Sequence, residues 1–272
     1  MQQKQARKLI NTMSPFLENN AAALRDSLGS TFAQMRKLSE MVEPDEETRE
    51  CLAALRRDLY RILRLAWNLS DLSRIGVETP LLTWETSACA MVEYIYDETE
   101  PLLREMGLYM RLQTEKTPPL ALNLHYTRRI LYQLLSNAIA VSPKDGTVTL
   151  SCRHSGQKVL ISVTDEGGGI PPEKMANIFS DPLTPEKEFV PHGLRLGLPL
   201  AKGLTELQGG NLLAENTETG VRFTLAFPVG GEIPKKKLSA NDFDLTGGFP
   251  QGLVELSDVL HVEAYFPEED CF

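Results

Sequence analysis

At 272 residues the chain is long enough for two domains, and folding at this size buries roughly 70–75% of the surface that the unfolded chain exposes. Its 42% hydrophobic and 24% charged residues are those of an ordinary globular protein, which excludes fibrous and wholly disordered architectures. A formal net charge of -9 opposes binding to a phosphate backbone, so nucleic acid is excluded as a partner class. The start, MQQKQARKLINTMS, lacks the apolar core of a signal peptide, and no run reaches the ~18 apolar residues that span a bilayer. The expectation is a cytoplasmic protein without membrane insertion. Cys51, Cys89, Cys152 and Cys271 are scattered without CxxC spacing, which points to free thiols rather than to zinc or a disulfide scaffold.

Residues 4–41 hold one proline, Pro15, and one glycine, Gly29. Their apolar positions, Ile10, Met13, Leu17, Leu24, Leu28, Phe32, Met35 and Leu38, recur at helical spacing. The acidic break from Glu43 to Glu47 supplies a turn and a helix start that the macrodipole favours. A second helix follows, with Leu52, Leu55, Leu59, Ile62, Ala66, Leu69 and Leu72 stepping mostly by three and four. Each helix carries more apolar surface than one partner covers, and every exposed Leu or Ile forgoes ~1.5–3 kcal/mol of burial. Two arrangements answer this: a four-helix bundle in a homodimer, which is the simpler, or packing of the hairpin on the downstream domain of its own chain.

After a linker around 76–81, an amphipathic stretch over 86–106 leads to an alternating strand over 108–112 and a helix over 124–141. The turn Pro143-Lys144-Asp145-Gly146 opens strands over 147–153 and 158–164, the second ending in Asp165-Glu166-Gly167-Gly168-Gly169. A short helix over 171–179 begins with prolines where a helix start tolerates them. Residues 180–192 read as a loop rich in Pro and charge. A helix over 196–207 then ends at Gly209-Gly210, and strands over 211–214 and 221–227 follow. The fold class is α+β, a two-helix hairpin followed by an α/β sandwich with a mixed sheet. Its expected divisions are 1–78, 79–231 and a C-terminal tail, 232–272, whose role the pattern does not specify.

Four motifs stand in order: Leu134-Leu135-Ser136-Asn137-Ala138 on a helix, Asp165-x-Gly167-x-Gly169 after a strand, Ile178-Phe179, and Gly193-Leu194-Arg195-Leu196-Gly197 before a helix. Singly, each is what turns and caps prefer. Together they resemble the nucleotide-binding domain of histidine kinases, a branch of the Bergerat-fold ATPases shared with gyrase B and mismatch-repair proteins. The resemblance implies a sandwich of that ATPase type that binds ATP and Mg²⁺. It gives Asp165 the adenine amine, and Gly167 and Gly169 a close backbone approach to the nucleotide. Asn137 becomes an oxygen ligand of Mg²⁺, Phe179 a lid anchor, and Gly193 and Gly197 the amides that face phosphate. The hairpin likewise resembles the family's dimerisation and phosphotransfer helices, which implies a response-regulator-like partner.

Several positions depart from that pattern. Pro15 stands where the family carries its phosphoacceptor histidine and Phe16 where it carries an acid. The four histidines, His125, His154, His192 and His261, lie elsewhere. Ser14 has no adjacent base to activate its hydroxyl. Gln133 occupies a catalytic-site position where the family has Asn, Ala140 one that often holds a cation, and Arg222 a common Thr or Ser. Arg195 replaces a lid glycine. Its guanidinium either reaches the phosphates, exchanging the cation absent at Ala140, or fills their place. The reading is therefore a signalling protein that binds Mg·ATP without autophosphorylating its hairpin and phosphorylates a partner in trans. The alternative is an inactive pseudokinase scaffold.

Overall fold

The computed structural model describes residues 2–41, 45–75, 81–179, 196–230 and 248–266. The chain divides into two compact units, at Thr79/Pro80 and again at Gly252/Leu253, so the residues from Leu253 onward belong with the N-terminal helices.

The first unit is built on α1 (Gln2–Met41) and α2 (Glu46–Arg74). Asp45 caps α2, its carboxylate accepting the Thr48 amide at 2.9 Å, a bond that holds the Asp45 pKa below its ordinary value. Glu46 and Glu47 follow in the first turn, as the acidic break predicts. Among the described side chains of α1, Ala21, Leu28 and Met35 are buried, spaced by sevens, and the helix packs on α2, whose buried residues include Leu59, Leu63, Ala66 and Trp67. Phe32 stacks at a tilt on Tyr60 with ring centroids 5.0 Å apart. At the far end, the Ser14 hydroxyl donates to the Ser73 carbonyl at 2.6 Å, and Arg74 pairs with Glu18 at 3.0 Å.

The C-terminal segment, which the sequence pattern left unassigned, completes this unit. A short helix α7 (Gln251–Glu255) and a 3₁₀ turn (Val262–Tyr265) lie near the end of the described residues, and the 3₁₀ turn packs on α2. Leu256, Leu260 and Tyr265 are buried there. Arg64 reaches Asp258 at 2.7 Å and Glu255 at 3.8 Å, and the Arg61 Nε donates to the Ser257 carbonyl at 3.1 Å. The Tyr265 hydroxyl donates to the Leu253 carbonyl at 2.9 Å. Even so, Leu24, Leu38, Met41, Leu55 and Ile62 stay exposed.

The second unit holds a five-stranded mixed sheet in the order β2 (Tyr109–Thr114), β4 (Thr147–Ser155), β5 (Lys158–Thr164), β7 (Val221–Pro228), β6 (Asn211–Asn216). Only β2 and β4 pair in parallel; the other pairs are antiparallel. Val148, Leu150, Cys152, Ile161, Val163 and Leu225 are buried beneath α3 (Ala88–Glu105), α4 (Leu124–Val141) and α6 (Gly197–Leu207), while Thr149, Ser151, Ser162, Thr164 and Thr224 occupy the opposite face. Helix α4 has the limits that its sequence predicts. Asn123 caps it by accepting the Tyr126 amide at 3.0 Å, and it stops at Ser142, where the following Pro143 disfavours helical backbone. The helix expected over 171–179 is shorter: α5 spans Pro172–Met175 and a turn continues to Phe179. Two three-residue strands, β1 (Trp84–Thr86) and β3 (Leu120–Leu122), form a separate antiparallel pair that periodicity did not indicate.

Candidate functional site

Asp165 follows the last residue of β5, Thr164, which pairs with Arg222 of β7, and the chain then runs into three glycines. The side chain is 2% exposed. Its Oδ1 accepts two backbone amides, Gly167 at 2.9 Å and Val221 at 3.2 Å, while Oδ2 has no hydrogen-bond partner among the described residues. Burial raises its pKa, and the amides of Gly167 and Val221 oppose that rise. A buried carboxylate with one oxygen fixed and the other unused is an acceptor positioned for a ligand donor. Gly220, which no motif in the sequence singles out, makes this possible. A Cβ there would lie 2.1 Å from the Asp165 carbonyl oxygen and 2.6 Å from its Oδ1.

Gln133, Asn137 and Val141 follow one another at i, i+4 and i+8 along one face of α4, about 6 Å apart per step. The two outer residues are approached closely by glycines. A Cβ on Gly197, the first residue of α6, would stand 2.8 Å from the Gln133 Oε1. A Cβ on Gly167 would stand 2.4 Å from the Val141 Cγ2 and 2.9 Å from the Val141 carbonyl oxygen. Asn137 therefore lies between the start of α6 and the Asp165 loop, on the helix face that meets both. Its Nδ2 is buried without a hydrogen-bond partner. A buried amide left open in this position suits a ligand that brings oxygen atoms, such as a phosphate with its metal ion. Among the described residues no group of three or more His, Cys, Asp or Glu side chains is arranged to hold a metal. A divalent ion at Asn137 would thus take most of its ligands from phosphate and water, as Mg²⁺ commonly does.

The Gly169 backbone has φ +86°, and the Asn216 side chain clamps the next residue, accepting the Ile170 amide and donating to the Ile170 carbonyl, both at 2.9 Å. Phe179 is half-buried, edge-on to Phe223 with centroids 6.3 Å apart, and the Lys202 ammonium of α6 sits 5.6 Å from its ring centroid. The first turn of α6 has no side-chain cap, so the Gly197 and Leu198 amides lack intrahelical acceptors, while Pro199 has no N–H to offer. Gly193 and Arg195 lie outside the described residues. Arg222, noted for replacing Thr or Ser, is engaged on the exposed edge, its guanidinium meeting Glu215 at 3.1 Å and Thr164 at 3.3 Å. His125, near the start of α4, is held neutral, with burial and the cations Arg129 and Arg128 pushing its pKa down to about 3.

The Gln133–Gly197 contact yields a direct test. Gly197→Ala is expected to destabilise the unit by about 1 kcal/mol, because the Gln133 amide is a movable side-chain end. Gln133→Ala should relieve most of that, so the two substitutions combine non-additively in urea denaturation. Additive losses would place the two residues out of contact.

Residues 124–231 match the family described as histidine kinase-, DNA gyrase B-, and HSP90-like ATPase. Among curated proteins, the chain is 28% identical over 205 residues to the alginate biosynthesis sensor protein KinB of Pseudomonas aeruginosa, covering 71% of this chain and 33% of that protein. It is 27% identical over 192 residues to the adaptive-response sensory kinase SasA of Gloeothece citriformis, covering 65% of this chain and 48% of that one. The chain thus spans a third to a half of the length of these relatives. Among solved structures, full-length ShkA in complex with AMPPNP superposes with a TM-score of 0.64 at 22% identity, over 79% of this chain and 45% of that one. The histidine kinase ThkA, crystallised with the response regulator protein TrrA, superposes with a TM-score of 0.52 at 22% identity, over 83% of this chain and 63% of that one. At such identities the likeness establishes the fold: a helical hairpin followed by an α/β sandwich.

Proposed function

We propose that the protein binds Mg·ATP and acts in phosphotransfer signalling without an acceptor histidine on its own hairpin, a reading supported by the match of residues 124–231 to the histidine kinase-, DNA gyrase B-, and HSP90-like ATPase family. The observation that carries the proposal is the Asp165 carboxylate, buried, fixed through Oδ1 and open at Oδ2. In this reading Oδ2 accepts an N–H of the adenine amine, and the glycines at 167 and 169 let the backbone pass close to the nucleotide. Asn137 holds the metal side of the phosphates, the Gly197 and Leu198 amides face their negative charge, and Phe179 anchors the segment leading to α6. Mg²⁺, when bound, neutralises phosphate charge and orients the transferable group.

Sequence supports the absence of a hairpin acceptor: no histidine occurs among residues 1–75, and Pro15 stands at the position concerned. The Ser14 hydroxyl next to it is already committed to the Ser73 carbonyl. The phosphoryl group then goes to a partner in trans, and the response regulator seen with ThkA suggests the class of that partner. The exposed Leu24, Leu38, Met41, Leu55 and Ile62 favour a homodimer in which a second hairpin covers them. No helix among the described residues is long and apolar enough to cross a membrane, and a cytoplasmic site of action is part of the same proposal.

Calorimetric titration with ATP and Mg²⁺ tests the core of the reading. Saturable heat is expected from the unmodified protein, and Asn137→Ala should abolish the dependence of affinity on Mg²⁺. Absence of heat in the unmodified protein overturns the proposal. The committed Ser14 also favours a second reading, a scaffold that binds a receiver-type partner without transferring phosphate. Labelled ATP separates the two: label on an added receiver domain supports transfer, whereas binding of that domain without label supports the scaffold.

A further inference from the structure

Two thiols in the second unit lie outside every role assigned above. Cys89, the second residue of α3, is half-buried; Cys152, in β4, is fully buried. Their Sγ atoms stand 3.6 Å apart. The Cys89 thiol donates to the Glu115 carbonyl at 2.7 Å and lies 3.4 Å from the Thr117 hydroxyl, while the Cys152 carbonyl accepts the Glu115 amide at 2.9 Å. Residues 63 positions apart in sequence are thus brought to sulfur–sulfur contact between a helix and the sheet that it covers. A disulfide forms at ~2.05 Å, so the sulfurs need to approach by about 1.5 Å, within reach of side-chain rotation.

We propose that Cys89 and Cys152 form a reversible intradomain disulfide that fastens the start of α3 to β4. Cys89, the more accessible, meets the oxidant first. With a peroxide, its thiolate attacks one oxygen, the O–O bond breaks, hydroxide leaves, and a sulfenic acid forms. The Cys152 sulfur then attacks the Cys89 sulfur, the S–O bond breaks, and water leaves with the proton that Cys152 gives up. In sum, two thiols lose two protons and two electrons, and the peroxide becomes two waters when it is hydrogen peroxide. Burial raises the Cys152 pKa, which disfavours its thiolate and makes it the slower, resolving member of the pair. Along β4, Cys152 pairs with Ile161, three ladder positions from the Thr149–Thr164 pair that precedes Asp165, so the bond forms away from the nucleotide site.

The test treats the full chain, in a Cys51→Ser/Cys271→Ser background that leaves only Cys89 and Cys152, with equimolar hydrogen peroxide. Intact-mass measurement and a non-reducing peptide map follow. The expected result is loss of two hydrogens, one cross-linked peptide joining Cys89 to Cys152, a raised melting temperature, and full reversal by dithiothreitol. Cys89→Ser should show none of these and should fold, since its site is half-exposed. The proposal is overturned if Cys89 accumulates as a sulfenic or sulfinic acid while Cys152 stays reduced. It is equally overturned if the folded and urea-unfolded proteins give the same mixture of linked cysteines.

Discussion

Asp165→Asn is expected to weaken Mg·ATP binding by roughly 30- to 150-fold, about 2–3 kcal/mol, without loss of the fold. The size follows from the geometry of the two oxygens. Oδ1 is an obligate acceptor, because the Gly167 and Val221 amides both point at it. In the Asn variant the amide oxygen must take that place, which turns the NH₂ group toward the position of Oδ2. A donor then opposes the adenine amine that the proposed reading places there, so the substitution replaces a charge-assisted hydrogen bond with an unpaired contact. Thermal stability should stay level or rise slightly, since burying the carboxylate favours its protonated form. A raised pKa means that the ionised group costs the folded state stability at neutral pH, a cost that disappears as pH falls below the unfolded carboxylate range. For the same reason the affinity of the unmodified protein should fall with decreasing pH, beginning above the ordinary carboxylate range, while the Asn variant keeps a flat profile across that interval. Calorimetric titrations of both proteins over pH supply the measurement. Equal dissociation constants at neutral pH would remove Asp165 from the adenine site.

The residues that sequence made legible are those whose signal is local. Helix α4 was expected over 124–141 and has those limits, and the structure adds the reason at its start, a cap by Asn123, with Pro143 following its end. Strand β5 ended where Asp165 and its glycines replace the β-branched run, and the structure places that end in a tight turn. What could not be read depends on distant partners. Gly220 looks like any other turn glycine until Asp165 is found 2.1 Å from where its Cβ would be. Strands β1 and β3 are three residues long, too short for a period to register, and each exists only through the other. The C-terminal segment carries no periodic stripe. Its place is decided by partners nearly two hundred residues away, such as the Arg61–Ser257 bond, so local pattern gives no hint of it. The hairpin's surplus apolar surface was legible, but its partial cover by this segment was not.

That cover gives the second large expected effect. Arg64→Met should destabilise the hairpin unit by about 3–5 kcal/mol, the usual consequence of removing one partner from a buried ionic cluster. The Arg64 side chain is 8% exposed and Glu255 is fully buried, so the substitution leaves the Glu255 carboxylate without the cation at 3.8 Å and Asp258 without its bond at 2.7 Å. Met matches the length of the aliphatic stem, so the loss reports on charge rather than on a cavity. Adding Glu255→Leu should recover more than half of the loss, because a buried pair replaced on both sides by apolar groups of similar volume is often close to neutral. Urea denaturation followed by Trp67 fluorescence reads the hairpin unit directly once Trp84, in the other unit, is changed to Phe, since Trp67 is buried on α2. If Arg64→Met shifts stability by less than 0.5 kcal/mol, a magnitude typical of surface substitutions, the C-terminal segment is not an integral part of the hairpin unit. If the double variant is as unstable as the single one, packing around Met, and not the loss of the cation beside Glu255, is the source of the destabilisation.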